Sequence, residues 1–392
     1  MPTRGQKIFA LAAIALLALN LRTAVSSISP VVGFIQEEFS LPIITIGLLG
    51  VAAPLAFALA TSLAYRPARR MGVELTLIFV TAAIVLGHLL RAIAIDAAFL
   101  FAGSMLSLLA MGIGNVLLPV LVRKYFPNRI GQISAIYITL TSVSATIGSL
   151  FAVPVADLLG WRFSLGQWAL LAILTLIPLL AIRSQSNPEP KLESNGARKA
   201  IWRSPTAIAI GGVQGMTSVF GYVSFAWLPL LLIEHNSATQ LQAGSLLALF
   251  AIMGFPVSLI VPPLAQRYPK SQPLIVYFSA TMGVLGSLGL LFSTNLVWLW
   301  VVFLGLGPTM FPLALTLFNL RSRERSTVLA VSSFGQGLSY SFATLMVLLV
   351  GITRELTGGW ELALWLMFAV AALSALAGLQ LQKGRQIEDE LH

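Results

Sequence analysis

Arg22 stands about halfway along the first long apolar stretch of the chain, residues 8–34. A charged side chain at mid-membrane costs about 2.5–3.5 kcal/mol on insertion scales, so such residues face a protein interior or a watery cavity. Asn20, Thr23, Ser26, Ser27, Ser29 and Pro30 surround it. On a continuous helix Arg22, Ser26 and Ser29 follow an i, i+4, i+7 stripe, with Thr23, Ser27 and Pro30 beside it, which predicts one broad polar face lining something wet. The guanidinium fork suits planar oxygen donors because it makes two parallel hydrogen bonds, so the chemistry on offer is recognition of a small monoanion or a polarised neutral acceptor. The competing use of Arg22 is to tie helices together through backbone carbonyls.

Further polar residues recur at helical spacing inside apolar stretches. Asn115 follows Met111 by one turn; Tyr137 and Thr141 share a stripe; Gln214, Ser218 and Tyr222 fall at i, i+4, i+8; Gln336 and Tyr340, after Ser332 and Ser333, are one turn apart. Each suits either a cavity wall or a helix-to-helix hydrogen bond. Asn20, Ser26, Asn115, Tyr137, Gln214, Tyr222, Gln336 and Tyr340 are the substrate contacts expected beside Arg22. Trp227 lies near an outer interface and reads as an aromatic-belt or lid residue.

What is missing narrows the chemistry. No Asp or Glu lies in the middle of an apolar stretch: Glu74 and Glu361 are at ends, and Asp157 is near an outer end. The buried carboxylate that commonly relays protons in drug and sugar carriers is therefore not seen. An uncompensated Arg22 attracts a monoanion or a polarised neutral acceptor and repels cations. His88 and Arg91 are one turn apart; His88 reads as a packed polar residue, with a proton relay as the alternative because imidazole titrates near neutral pH, and Arg91 is expected to snorkel towards Asp96. Arg162, beside Trp161, is expected to close an outer loop against Asp157 or a carbonyl. With three separated histidines, His88, His235 and His392, and no cysteine, neither a catalytic dyad nor a metal site is expected, so no enzyme activity and no cofactor. No nucleotide motif supplies ATP as a driving force, and no basic, aromatic-interleaved patch suits nucleic acid.

These residues need elements that cross a bilayer, and the composition supplies them. The 392 residues are 57% hydrophobic and 10% charged, against the roughly 25% charged of soluble domains. Windows of about 20 apolar residues give twelve spans: 8–34, 42–64, 73–94, 97–121, 131–156, 164–183, 205–233, 240–264, 272–293, 295–319, 327–352 and 358–382. Of the 24 Lys and Arg residues, 20 fall on one face, and all but Arg22, Arg91, Arg162 and Arg354 belong to that set. The positive-inside rule makes that face, and with it both termini, cytoplasmic. The longest connection, 184–204, is polar and reads as a linker between a bundle at 1–183 and a bundle at 205–392. An internal repeat agrees: Gly112, Gly114 and Pro119 in the fourth span recur as Gly305, Gly307 and Pro312 in the tenth. Gly160-Trp161 is echoed by Gly359-Trp360, and Pro30 by Pro229.

Twelve spans, a six-plus-six repeat and a polar middle loop resemble the major facilitator superfamily. Asn20, Leu21 and Arg22 with Ser27 and Pro30, the run from Gly114 to Pro119, Trp227-Leu228-Pro229, Ala243-Gly244-Ser245-Leu246, and Gln336-Gly337 with Tyr340 resemble its cyanate and 2-nitroimidazole transporter family. The superfamily's basic gating loop is represented by Ala68, Arg69, Arg70, Met71, Gly72, Val73 and Glu74, and its counterpart by Gln266 and Arg267. Both lack the usual Asp; Glu74 beside Arg69 and Arg70 is the expected substitute, and Arg69, Arg70, Glu74, Arg267 and Trp227 are the expected gating residues. The resemblance implies an all-α membrane protein of two pseudo-symmetric six-helix bundles. It also implies a bacterial inner-membrane location, alternating access about a central cavity, a monomer, and a small-molecule substrate with or without protons. The charge inventory is compatible with proton symport, anion exchange and facilitated diffusion. A broad-specificity proton-coupled drug efflux pump is the alternative reading.

Overall fold

The structure, a computed structural model, describes residues 3–39, 43–185, 201–293 and 295–391. The central part of the expected linker, 186–200, lies outside the described residues. Among those described, twelve helices are long and apolar enough to cross a membrane. They are α1 (Arg4–Glu38), α2 (Thr45–Met71), α3 (Val73–Ala92), α4 (Ala97–Tyr125), α5 (Pro127–Leu159), α6 (Trp161–Ile182), α7 (Pro205–Asn236), α8 (Gln240–Arg267), α9 (Ser271–Phe292), α10 (Val297–Leu320), α11 (Ala330–Thr357) and α12 (Glu361–Leu381). The fold is an all-helical membrane bundle, and every expected span has its helix.

Local sequence sets the ends. Thr3 and Gln6 form a reciprocal capping box at the start of α1, Asp96 caps α4 through Phe99 N–H at 2.7 Å, and Ser204 caps α7 through Ala207 N–H at 3.1 Å. The short turns from α2 to α3, α5 to α6 and α11 to α12 each pass through a glycine at positive φ: Gly72 (87°), Gly160 (84°) and Gly358 (69°). L side chains rarely adopt that conformation.

The chain forms two compact units: Met1–Lys191 with Thr239–Ala248, and Leu192–Ala238 with Leu249–His392. The first turns of α8 thus belong with the first unit, where Gly244 lies close to Ser149 O and Pro30. The two units repeat one set of pairings. In the first, α1 packs on α5 and α6, α3 on α4 and α6, and α2 on α4; in the second, α7 packs on α11 and α12, α9 on α10 and α12, and α8 on α10.

The repeated glycines explain part of this agreement. A Cβ at Gly112 would come within 2.7 Å of Ala60 on α2, and one at Gly114 within 3.3 Å of Leu21 on α1. In the second unit a Cβ at Gly305 would meet Phe250 O on α8 at 2.8 Å, and one at Gly307 would meet Phe220 on α7 at 3.2 Å. In each unit the first glycine admits one neighbour and the second admits the other, the close backbone approach that membrane bundles use in place of hydrophobic collapse. Large apolar side chains such as Phe79, Leu86, Leu170 and Ile177 remain on the outside, as a lipid-facing surface requires.

Candidate functional site

The first unit builds its site at a break in α1. The regular helix ends at Asn20, a four-residue turn runs Thr23–Ser26, a 3-10 turn Ser29–Val31 carries Pro30, and a helix resumes at Val32. Arg22 occupies the break with φ −127° and ψ −8°, outside helical geometry. The continuous polar stripe expected over Arg22, Ser26 and Ser29 is therefore broken into short helical turns on either side of an interruption, a correction to the sequence reading.

The break is held from α5. Arg22 N–H donates to Ser144 Oγ at 3.1 Å, Ser26 Oγ donates back to Arg22 O at 3.0 Å, and Ser149 Oγ donates to Ser26 O at 3.3 Å. Freed backbone groups in a membrane helix must find such partners. Gly148 lets α5 approach: a Cβ there would collide with Ser26 Oγ and lie 3.3 Å from Thr23 Cα. Arg22 itself is half-buried, its guanidinium 5.2 Å from the ring centroid of Phe57 on α2, within cation–π range. Nothing in the sequence marked Phe57, Ser144 or Gly148 as its neighbours.

The other first-unit residues divide by environment. Asn20 is fully buried and its amide donates to Leu16 O at 2.8 Å and to Thr175 Oγ1 on α6 at 2.9 Å; Ser26 is also fully buried. Asn115 and Tyr137 are half-buried.

Arg91 does not reach Asp96. It is fully buried, with Nη2 3.5 Å from Ser27 Oγ and Nε and Nη1 without a hydrogen-bond partner among the described residues, while Asp96 is occupied as a helix cap. The reason is helical phase: the face of α3 that carries Arg91 also carries Gly87, which packs on Gly103 and Ser107 of α4. His88 is buried with Nδ1 3.1 Å from Leu165 O.

In the second unit Gln214 and Tyr222 on α7 are buried, and Tyr222 packs edge-on against Tyr340 of α11 with ring centroids 6.0 Å apart. Gln214 Oε1 is buried with no hydrogen bond among the described residues, and Gln336, one turn before Tyr340, is half-buried. Trp227 is not a belt residue. It is 1% exposed, donates its indole N–H to Val347 O at 3.0 Å and packs against Trp360 at 5.8 Å.

The basic loops also differ from expectation. Glu74 is fully buried and its carboxylate goes to α4, with Lys124 Nζ at 2.7 Å and Tyr125 OH at 2.9 Å, in place of the adjacent Arg69 and Arg70. Arg69 is half-buried, Arg70 exposed, and Arg267 exposed over the ring of Tyr268 at 5.6 Å.

Each unit carries an acid–indole–guanidinium cluster where its first and last helices meet. Glu38 accepts from Trp161 Nε1 at 3.0 Å and from both terminal nitrogens of Arg162 at 2.5 and 2.7 Å; Arg162 also donates to Ala94 O. Glu234 accepts from Trp360 Nε1 at 2.8 Å and from Arg354 Nε at 2.8 Å. The carbonyl partner expected for Arg162 is present; its acid is Glu38, not Asp157.

Known proteins agree with this architecture. The family model for the Major Facilitator Superfamily matches residues 12–344. The chain is 32% identical over 390 residues to the uncharacterized transporter YycB of Bacillus subtilis, covering 97% of this chain and 95% of that one. It is 31% identical over 391 residues to the 2-nitroimidazole transporter of Escherichia coli, covering 97% of both. The crystal structure of a D-xylose-proton symporter superposes with a TM-score of 0.77 over 97% of this chain and 99% of the other, at 11% identity, a likeness of fold alone. With the repeated helix pairings, the interrupted α1 and these relatives together, the chain belongs to the major facilitator superfamily and is a multi-pass membrane transporter.

Proposed function

We propose that this transporter carries a small anionic or nitro-bearing organic solute, by alternating access, with Arg22 as the main recognition charge. The observation that carries the reading is the position of Arg22 at the interruption of α1, half-buried and beside the Phe57 ring. Interrupted helices in transporters present backbone and polar groups where substrate binds. A guanidinium next to an aromatic face offers a planar solute both paired hydrogen bonds and a stacking surface. The relationship to a 2-nitroimidazole transporter supports the same substrate class.

Asn115 and Tyr137 in the first unit, and Gln214, Tyr222, Gln336 and Tyr340 in the second, are the polar groups proposed to complete recognition. Asn20 and Ser26, read from the sequence as substrate contacts, are fully buried and hydrogen-bonded to Leu16 O and Thr175 and to Arg22 O, so they are proposed to support recognition by anchoring the segment that carries Arg22. Arg69, Arg70, Glu74 and Arg267 are proposed to act at the gates, and Trp227 from its buried contact with Trp360. The protein is proposed to be a monomer in the bacterial cytoplasmic membrane with both termini cytoplasmic, supported by the one-sided distribution of Lys and Arg.

The test is thermal stability of the purified protein against cyanate, 2-nitroimidazole, small carboxylates, sugars and cationic dyes, repeated on Arg22→Gln. A ligand at 100 times its dissociation constant adds about 2.7 kcal/mol to the folded state. The reading requires stabilisation by anions or nitro compounds that the variant loses. Equal stabilisation of both proteins by cationic dyes would instead support the drug-efflux reading.

A further inference from the structure

The arginine-rich end of the second unit contains a cavity of about 490 Å3, walled by the start of α9, the end of α10 and the chain leaving α12. Its polar lining is Arg321, Lys270, Gln266, Gln272, Gln382 and Gln386, and no carboxylate is among the lining residues.

Arg321 is 6% exposed and fixed from one side. Its Nη2 donates to Gln272 Oε1 at 2.6 Å and to Leu381 O at 3.2 Å, and Gln272 is itself anchored by donating to Ala265 O at 3.0 Å. Nε and Nη1 make no hydrogen bond with the described residues. Gln386 donates to Leu320 O at 3.3 Å, and its own Oε1 is buried without a donor.

The nearby acids are engaged elsewhere. Asp389 pairs with Arg323, Glu388 accepts from the N–H groups of Arg323 and Glu324, and Glu390 accepts from Ser204 and Thr206. What remains is a guanidinium held from one side, the exposed ammonium of Lys270 and amide groups, around a space that carries positive charge. A second cavity of about 490 Å3 in this unit has no cation in its lining, so volume alone does not create the feature.

Arg and Lys together with neutral donors match a phosphate, whose several oxygens accept from all of them. Basic pockets at the ends of membrane helices lie at the depth where lipid headgroups sit. We propose that this cavity is a binding site for a phosphate-bearing anion, with Arg321 Nη1 and Lys270 Nζ as its charged contacts. The phosphate is carried either by an anionic lipid headgroup or by a soluble phosphate ester.

The test uses the full chain in detergent with three probes: dioctanoyl phosphatidylglycerol, glycerol phosphate, and dioctanoylglycerol, which has the same acyl chains without phosphate. Binding is followed by native mass spectrometry and by the melting temperature. The variants are Lys270→Glu and Gln266→Glu, both at exposed positions and so expected to fold. Binding of a phosphate probe, weakened at least fivefold in either variant, with none of dioctanoylglycerol, supports the site. A response to the lipid alone assigns a headgroup; a response to glycerol phosphate as well assigns a soluble ester. Equal binding of dioctanoylglycerol, unchanged affinity in both variants, or no binding of either phosphate probe overturns it.

Discussion

Glu234 accepts the indole N–H of Trp360 at 2.8 Å, and Glu38 stands in the same relation to Trp161 at 3.0 Å. The acids end α1 and α7, and the indoles begin α6 and α12, so the two clusters occupy equivalent places in the repeat. Their arginines do not: Arg162 follows its tryptophan directly, whereas Arg354 comes from the end of α11. The acid–indole bond is the shared element, and the cation has been supplied twice from different positions.

Glu234→Gln should therefore lower stability, by about 1 kcal/mol after allowing for partial exposure. Glu38→Gln should act in the same direction. Trp360→Phe, which keeps the ring and removes the N–H, should reproduce most of the Glu234→Gln effect, and the double variant should fall short of the sum. Additive melting shifts would show that the pair does not act as a unit.

Gly148 tests the packing that holds the break in α1. Gly148→Ala should destabilise by about 1–3 kcal/mol, because a Cβ there collides with Ser26 Oγ. In a Ser26→Ala background the same change should cost less. Melting curves of the four proteins of this cycle decide it; an identical cost in both backgrounds would contradict the contact.

Arg91 carries a buried charge with two nitrogens unsatisfied among the described residues. Replacing such a group by an apolar one of similar volume is often stabilising by about 1–4 kcal/mol. Arg91→Met should raise the melting temperature. A fall of several degrees would mean that the guanidinium has a partner the static arrangement does not reveal.

Glu388 gives a pH dependence with a definite sign. Burial alone would raise its carboxyl, but the N–H groups of Glu324 and Arg323 and the Thr327 hydroxyl outweigh burial and hold it below the usual carboxylate range. A depressed folded value contributes stability above the unfolded value of about 4.3, and that stability is lost as pH falls through the folded value. The melting temperature of the wild type should drop more steeply than that of Glu388→Gln once the pH falls below about 4.5. Parallel curves would remove the contribution.

The helix count and the repeat were legible because apolar length and the Gly112, Gly114, Gly305 and Gly307 spacing are properties of the chain itself. The break at Arg22 was not: Asn20, Leu21, Arg22 and Thr23 contain no Gly or Pro, and the chain turns there because Ser144 and Ser149, more than 120 residues away, bond its backbone. The acid clusters were hidden likewise, since Glu38 and Arg162 are 124 residues apart. Arg91 was misread because its nearness to the end of a span suggested exposure, whereas Gly87 on the same face marks the inward side of α3. The place of Glu74 depended on Lys124 and Tyr125, which no local motif connects to it.

The central claim is that Arg22 recognises the solute. The most direct measurement is uptake of radiolabelled 2-nitroimidazole and cyanate into proteoliposomes by the wild type, Arg22→Lys and Arg22→Gln, with melting curves showing all three folded. The account predicts at least a tenfold loss of transport in Arg22→Gln and partial retention in Arg22→Lys, which keeps the charge but loses the planar fork. Transport by a folded Arg22→Gln protein at the wild-type rate would contradict it.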